Sequence, residues 1–151
     1  MRSSMSAALA CLAAAPLCVG IARSDPLAAA RVAPDEMTWA PSAAGTGSWR
    51  ANLVGDETKP GVYVYRARFP ANYKVLPHFH PDERVVTVLS GTLYVGYGDS
   101  FDESAMKALP AGSIWTEPAR ASHYVWAKDG EVVIQVMGAN GPSGVVRIQP
   151  K

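Results

Sequence analysis

The sequence predicts an all-β protein folded as one sandwich or barrel, and three observations indicate this class. Ten short segments rich in β-branched and aromatic residues follow one another from residue 37 to residue 149. Glycines, prolines and one Asp-Gly pair separate these segments, as expected for turns. The chain has 151 residues, which is the length of a single domain, and it contains no internal repeat. Short strands at this spacing are typical of sandwiches and barrels rather than of parallel sheets.

Residues 1–24 have the pattern of a secretory signal peptide. Arg2 precedes an apolar, alanine-rich stretch, and Ala22 and Ser24 are the small residues expected at positions −3 and −1 of a cleavage site. The apolar stretch is short for a permanent membrane span, so an uncleaved anchor is the less favoured alternative. We therefore expect an exported protein, periplasmic or secreted, without a stable membrane anchor.

Cleavage of the signal peptide changes the composition of the remaining chain. Both cysteines, Cys11 and Cys18, lie within residues 1–24, so the mature chain would contain neither a disulfide nor a thiolate ligand. Loss of Arg2 and Arg23 from the 14 basic residues leaves 12 against 13 acidic ones. A nearly neutral chain without a basic run gives no indication of nucleic-acid binding.

Residues 25–48 are expected to form an N-terminal segment before a barrel formed by residues 49–151. Asp25 and Pro26 could begin a short helix, or the same residues could be a linker. An edge strand is predicted at 37–41. Within the barrel, Ser100–Leu109 could hold one or two helical turns, because acidic residues come early and Lys107 comes late.

The remaining segments are predicted to be strands. Asp129-Gly130 lies between the predicted strands at 122–128 and 131–138 and is typical of a type I′ hairpin turn. After the edge strand, the predicted strands cover residues 49–55, 62–69, 73–80, 84–90, 92–98, 113–118, 122–128, 131–138 and 144–149.

Two of the three histidines in the chain, His78 and His80, lie two residues apart at the end of a predicted strand. Alternation along a strand places both imidazoles on one face, where they can bind one metal ion. Two histidines on an exposed strand would have the same spacing, so this pair alone is a weak signal.

The third histidine makes the pattern specific, because His123 follows the sequence Gly112-(x)5-Pro118-x-Arg120-(x)2. This sequence resembles the second motif of the cupin family, G(x)5PxG(x)2H(x)3N, with Arg120 and Ala127 replacing a glycine and the asparagine. The first cupin motif, G(x)5HxH(x)3–4E(x)6G, is matched by both other histidines and by Gly91, with Asn72 in place of its opening glycine.

The resemblance covers about residues 62–136, and this segment is similar to the exported single-domain, type-2-like cupins of bacteria. It implies a double-stranded β-helix, or jelly roll, in which His78, His80 and His123 bind a divalent transition metal. Cupins also frequently form homodimers, and the exposed edge segments at 37–41 and 49–55 could pair across two subunits.

The carboxylate of the first motif is missing at its expected position. Counting back from Gly91 reaches Arg84, while Glu83 lies one residue out of register and would face the other way in a regular strand. Three alternatives follow: three histidines with water, a bend that lets Glu83 or Asp82 reach the metal, or an Arg84 that binds an anion or repels the metal. Without the carboxylate, Zn, Cu, Ni or Fe is favoured over Mn.

Other side chains are candidates for the wall of the site. Gln135 lies in an apolar strand and is expected to face the pocket, because a buried amide needs partners. Tyr65 and Trp115 are expected in the pocket wall or the core. Glu117 could act as a base near His123, although a glutamate is more often solvated.

Three functions are compatible with these residues. The first is a metal-dependent enzyme of dioxygenase or isomerase type acting on a small molecule. The second is a non-catalytic module that binds a small ligand, such as an anion held by Arg84 or a sugar. The third is a structural barrel with a vestigial site.

Overall fold

The computed structural model describes residues 26–42 and 47–148. The predicted signal peptide lies outside the described residues. Among the described residues, no helix has the length and hydropathy needed to cross a membrane.

Two antiparallel sheets face each other, which confirms the all-β prediction. In chain order the strands are β1 (Ala40–Pro41), β2 (Trp49–Val54), β3 (Tyr63–Phe69), β4 (Tyr73–Phe79), β5 (Arg84–Ser90), β6 (Thr92–Tyr97), β7 (Lys107–Pro110), β8 (Ile114–Glu117), β9 (His123–Ala127), β10 (Val132–Gly138) and β11 (Val146–Arg147). One sheet has six strands in the order β1-β2-β3-β10-β5-β8, and the other has five in the order β11-β4-β9-β6-β7.

Successive strands pass back and forth between the two sheets. From β3 to β6, and again from β7 to β11, each strand lies in the sheet opposite its predecessor. This alternation winds the chain into the jelly roll that the cupin motifs imply. It also corrects the prediction of a hairpin at Asp129-Gly130. These residues connect β9 and β10 in different sheets, and neither has the positive φ that a type I′ turn requires.

Two segments outside the main strands differ in part from expectation. Residues 26–33 form no regular element, and a 3-10 turn occupies Pro34–Glu36 before the short edge strand β1. The region from Ser100 to Leu109 contains a 3-10 turn, Glu103–Ala105, and then β7, which the sequence did not predict. The Asp102 side chain accepts a hydrogen bond from Ser104 N–H and so begins that turn.

The core lies between the sheets and follows the alternation of the strands. In β5, Val86 and Val88 are buried while Val85 and Leu89 are exposed. In β10 the same two-residue period buries every second side chain. The buried apolar cluster is formed by Tyr63, Tyr65, Ala67, Val86, Val88, Leu93, Val95, Leu109, Trp115, Val125, Ala127, Val132, Ile134 and Val136.

The backbone conformation supports the alignment with the cupin motifs at the two positions where this sequence has another residue in place of a motif glycine. Among described residues, Asn72 and Arg120 are the non-glycine residues with positive φ, 62° in each case. Both replace a glycine of the cupin motifs. Gly91 and Gly112, which match motif glycines, have φ of 75° and 88°. The turns have therefore kept their left-handed conformation although two of the four glycines are absent.

Candidate metal centre

Strands β4 and β9 bring the three histidines together. His78 lies directly opposite His123 in the pairing of these strands, next to a bulge between Val75 and His78. His80 follows the end of β4 on the same face. The ring centroids are 4.3 Å apart for His78 and His123, 4.9 Å for His78 and His80, and 5.2 Å for His80 and His123.

One ring nitrogen of each histidine is held by a backbone carbonyl. Because a carbonyl oxygen can only accept, the Nδ1 atom of each ring donates: His78 to Leu76 at 2.8 Å, His80 to Gly144 at 2.5 Å and His123 to Ala121 at 3.1 Å. In the neutral ring, this leaves the lone pair on Nε2. A ligating histidine is usually oriented in the same way, by a partner on its other nitrogen.

Burial keeps two of these imidazoles neutral. It lowers the pKa of His78 to about 4, with a further contribution from His123. It lowers the pKa of His80 to about 3, and the positive charge of Arg84 acts in the same direction. A neutral imidazole can ligate a metal, whereas a protonated one cannot.

A buried ion pair lies directly beside the histidines. Arg84 in β5 is opposite Glu117 in β8, and the Glu117 Oε2 atom accepts from Arg84 Nε at 2.6 Å and Nη2 at 2.5 Å. Arg84 Nη1 also donates to the hydroxyl of Tyr65 at 3.1 Å. Burial works to raise the pKa of the Glu117 carboxyl, but the positive charge of Arg84 outweighs it, and the pKa is lowered.

The donor atoms at this site fit a cation. The other oxygen of Glu117, Oε1, is 3.3 Å from His123 Nε2, and Glu117 Oε2 is 3.8 Å from His80 Nε2. Both Nε2 atoms are buried and have no hydrogen-bond partner in the described part of the chain. Lone pairs of nitrogen and of a carboxylate thus face each other, which is unfavourable without a positive charge between them. The three histidines form a group able to hold a metal ion, with one ligand atom from each within 4.8 Å of the others.

Several predicted residues lie elsewhere. Glu83 is exposed, because it precedes β5 and faces away from Arg84. Asp82 is buried but accepts hydrogen bonds from Tyr63 and Ser143. Gln135 does not face the pocket and instead accepts from Arg66 at 3.2 Å.

The positions of Gln135 and Glu117 both correct the sequence interpretation. Ile134 and Val136 line the pocket, so the side chain of Gln135 between them points to the opposite face of β10. Glu117, for which solvation was expected, is only 4% exposed. Its neighbour in the paired strand, Arg84, compensates the charge that makes glutamate burial rare.

The site opens into a cavity of about 1120 Å³ between the two sheets. All three histidines, Arg84 and Glu117 contribute to it, as do Tyr65 and Trp115, which the sequence placed in the pocket wall or core. Much of the remaining wall is apolar or aromatic and includes Ala67, Phe69, Tyr73, Val75, Val125, Ile134, Val136, Val145 and Ile148. A cavity with apolar walls and a few convergent polar groups is typical of small-molecule sites.

The last described residues, 141–148, form an arm along one side of the site. β11 pairs with β4 and places Arg147 opposite His78. Before it, Ser143 Oγ donates to buried Asp82 at 2.5 Å, and the carbonyl of Gly144 accepts from His80. Tyr63 donates to the other oxygen of Asp82 at 2.6 Å. The Asp82 carboxylate therefore fastens the arm that orients His80.

The sequence matches the ChrR cupin-like domain family over residues 27–140, and the chain belongs to this family. No curated protein sequence matches the chain.

Solved structures share the fold at low sequence identity. The polyketide cyclase RemF from Streptomyces resistomycificus has a TM-score of 0.67 and 14% identity, over 82% of this chain and 88% of that one. An RmlC-like cupin from Shewanella frigidimarina has a TM-score of 0.60 and 16% identity, over 75% and 92%. An oxalate oxidase has a TM-score of 0.55 and 21% identity, over 72% and 60%. At these identities the similarity shows the cupin fold and no specific activity.

Proposed function

We propose that this protein is an exported, metal-dependent cupin enzyme of dioxygenase or isomerase type that acts on a small molecule. One observation carries the proposal: three histidines, two of them with a buried Nε2 atom that has no partner among the described residues, converge at a cavity large enough for a small molecule. Structural relatives with enzyme names, a polyketide cyclase and an oxalate oxidase, are compatible with it.

The residues at the site have two roles: some would hold the metal ion, and others would enclose the bound molecule. His78, His80 and His123 would hold the ion, which when bound would polarise a substrate oxygen or bind dioxygen. The apolar walls would contact the bound molecule around these ligands. Trp115 lines the cavity, and its indole N–H has no hydrogen-bond partner among described residues.

The pairing of Arg84 weighs against an anion held by that residue. Arg84 is paired with Glu117, Arg50 with Glu57 at 2.7 Å, and Lys74 with Glu103 at 3.1 Å. An anion recruited by Arg84 would have to displace a buried carboxylate. A non-catalytic module for an anion or a sugar remains the alternative, and the Arg84 pair counts against the anionic form of it.

Export and a homodimer belong to the same proposal. The signal-peptide pattern of residues 1–24 supports export to the periplasm or beyond. The exposed edge at β1 and Trp49, which is 43% exposed, supports pairing with a second copy. Fractionation of cells expressing the tagged full chain, and light scattering of the mature protein, test these two points.

The first experiment is elemental analysis of protein purified from its own export compartment. We expect one equivalent of a divalent transition metal (Fe, Zn, Cu, Ni or Mn) per chain, and its loss in the double variant that combines His78→Ala with His123→Ala. Glu83→Ala is the matched control, because it removes an exposed acid near the site. Metal retained by the double histidine variant would contradict the site assignment.

Enzyme and binding module are separated by turnover. The loaded protein is offered a panel of neutral ketones, phenols and sugars alongside organic acids, with dioxygen uptake and product formation recorded. Turnover that disappears in His123→Ala supports the enzyme. Thermal stabilisation by a compound, without turnover or dioxygen uptake across the panel, would favour the binding module.

A further inference from the structure

A glutamate stands beside the histidines even though the motif position for the ligating carboxylate holds arginine. That position, Arg84, is paired directly with Glu117 on the neighbouring strand. Side chains directly opposite each other on one face of an antiparallel pair are close, with Cβ atoms about 4.5–5.5 Å apart. The side chain of Glu117 therefore lies next to that of Arg84 on the same face of the sheet, but it comes from β8 instead of β5.

We infer that Glu117 is the fourth protein ligand of the metal, replacing the motif glutamate from an adjacent strand, and that Arg84 is its positioning residue. This inference rests on the proposed metal function. The carboxylate oxygen that would ligate is Oε1, since Oε2 is occupied by two N–H groups of Arg84.

The distance between the donor atoms supports this assignment. Two ligands bonded to one tetrahedral ion at about 2.0–2.2 Å lie roughly 3.3–3.6 Å from each other. Glu117 Oε1 and His123 Nε2 are 3.3 Å apart. His123 Nδ1 donates to Ala121, so in the neutral ring Nε2 carries no proton that could make this contact a hydrogen bond. With the His123 ring neutral, a shared cation accounts for the approach of these two acceptors.

The ion pair supplies the restraint that a ligand of this kind needs. Arg84 Nε and Nη2 fix one oxygen of the carboxylate, and Arg84 Nη1 is itself fixed by Tyr65. Both charged side chains are almost fully buried, at 5% and 6% exposed. Outer-shell partners of this type orient ligating carboxylates in metal proteins. Arg84 thus positions the Glu117 carboxylate that would ligate the metal, rather than binding the substrate.

The assignment changes the expected metal preference. The sequence favoured Zn, Cu, Ni or Fe because no carboxylate was available. A set of three nitrogens and one oxygen restores a hard ligand, which Mn²⁺ and Fe²⁺ favour more than three imidazoles alone. Removing the carboxylate should therefore weaken Mn²⁺ binding more than Zn²⁺ binding.

The test is metal affinity of the purified full-length mature protein, with Zn²⁺, Mn²⁺ and Co²⁺ as probes. In Glu117→Gln we expect at least a tenfold loss of Zn²⁺ affinity, a larger loss for Mn²⁺, and a changed visible absorption of bound Co²⁺. Glu83→Gln is the matched control, because the same change is made on an exposed glutamate. It should leave affinities and spectrum unchanged.

A second variant covers the case in which Glu117→Gln does not fold. Arg84→Gln combined with Glu117→Gln removes both charges, so no unpaired charge is left buried. It should show the same loss of affinity with a native circular dichroism spectrum.

The outcomes distinguish the inference from the proposed function. Wild-type affinity and an unchanged Co²⁺ spectrum in either carboxylate-free variant, together with loss of metal in His123→Ala, would overturn the role of Glu117 and leave the three-histidine site standing. A wild-type protein that binds none of the three ions would overturn both.

Discussion

Arg84 and Glu117 face each other across β5 and β8 and form a buried ion pair on the wall of the cavity, 3.3 Å from the nearest histidine nitrogen. The pair connects the stability of the barrel with the chemistry of the site. Each charge is acceptable inside the protein only because the other is present. Neither residue can therefore change alone without an effect on folding.

Substitution of Arg84 by leucine should destabilise the metal-free protein by about 3–5 kcal/mol, because it leaves the Glu117 carboxylate buried without its partner. The free energy of unfolding, measured by urea titration with a chelator present, tests this expectation. The double variant Arg84→Leu with Glu117→Leu should recover most of the loss, since no charge remains.

Lys59→Ala is the control for this experiment. Its ion pair with Asp56 is long, 3.8 Å, and its side chain is 69% exposed. Pairs of this type are worth about 0–1 kcal/mol. An Arg84→Leu variant that loses no more stability than Lys59→Ala would show that Glu117 does not depend on its partner.

The stability of the metal-free protein should fall as the pH falls below about 6.5. The folded-state pKa values of His78 and His80, about 4 and about 3, lie below their ordinary value of 6.5. The unfolded chain therefore binds protons that the folded chain excludes, and the stability present above pH 6.5 is lost towards pH 4. We expect a loss on the order of 2 kcal/mol per histidine between pH 8 and pH 5.

Urea titrations at several pH values measure this slope. His78→Asn removes one of the two groups and should reduce the slope by about half. Equal stabilities of the wild-type protein at pH 8 and pH 5 would show that the two imidazoles titrate normally in the folded protein.

Arg120→Gly should stabilise the protein. Arg120 has a φ of 62°, which costs an ordinary residue about 1–2 kcal/mol, and its side chain is exposed. The greater flexibility of glycine in the unfolded chain offsets about 0.5–1 kcal/mol of this gain. A net increase of about 0.5–1 kcal/mol in unfolding free energy is expected, measured by thermal or urea unfolding.

Arg120→Ala separates the backbone effect from the loss of the side chain. Alanine retains a Cβ atom, so this variant should show no gain. Asn72→Gly should gain less than Arg120→Gly, because asparagine tolerates this conformation and Asn72 accepts a hydrogen bond from Trp126 at 3.1 Å. Equal stabilities of the glycine and alanine variants at position 120 would contradict the strain assigned to Arg120.

Ser143→Ala should weaken metal retention at the site by about tenfold or more, as observed when outer-shell partners are removed. It deletes the hydrogen bond that fastens the arm to Asp82 next to the carbonyl partner of His80. Competition with a coloured chelator measures the effect. Ser104→Ala is a matched control, because Ser104 donates to Asp102 at 2.6 Å on an exposed turn away from the histidines. An equal loss of metal retention in both variants would show that the hydrogen bond from Ser143 to Asp82 does not support the metal site.

Much of the fold was predictable because the strands follow a period of two and end at turn residues. All ten predicted strands overlap an observed one, and the cupin motifs alone indicate the jelly roll. β7 was missed because acidic residues and Lys107 suggested a helical pattern. The Asp129-Gly130 turn was misassigned, since local sequence does not show whether the next strand joins the same sheet.

The sequence did not identify Glu117 as the carboxylate beside the histidines. Its position depends on a contact between strands, and the motif spacing does not contain that contact. Alternation along β5 indicates that Glu83 and Arg84 face opposite ways, but it does not show which residue lies across from Arg84. That partner, Glu117, is separated from Arg84 by 33 residues. Gln135 shows the complementary error, because an amide in an apolar strand can also be satisfied on the outer face, here by Arg66.

The hydrogen bond from His80 to Gly144 joins residues 64 positions apart and ties the histidines to the arm that follows β10. Because its partners are far apart in the sequence, this contact is non-local, and non-local contacts cost loop-closure entropy before they form. The orientation of His80 is therefore complete only once residue 144 has docked.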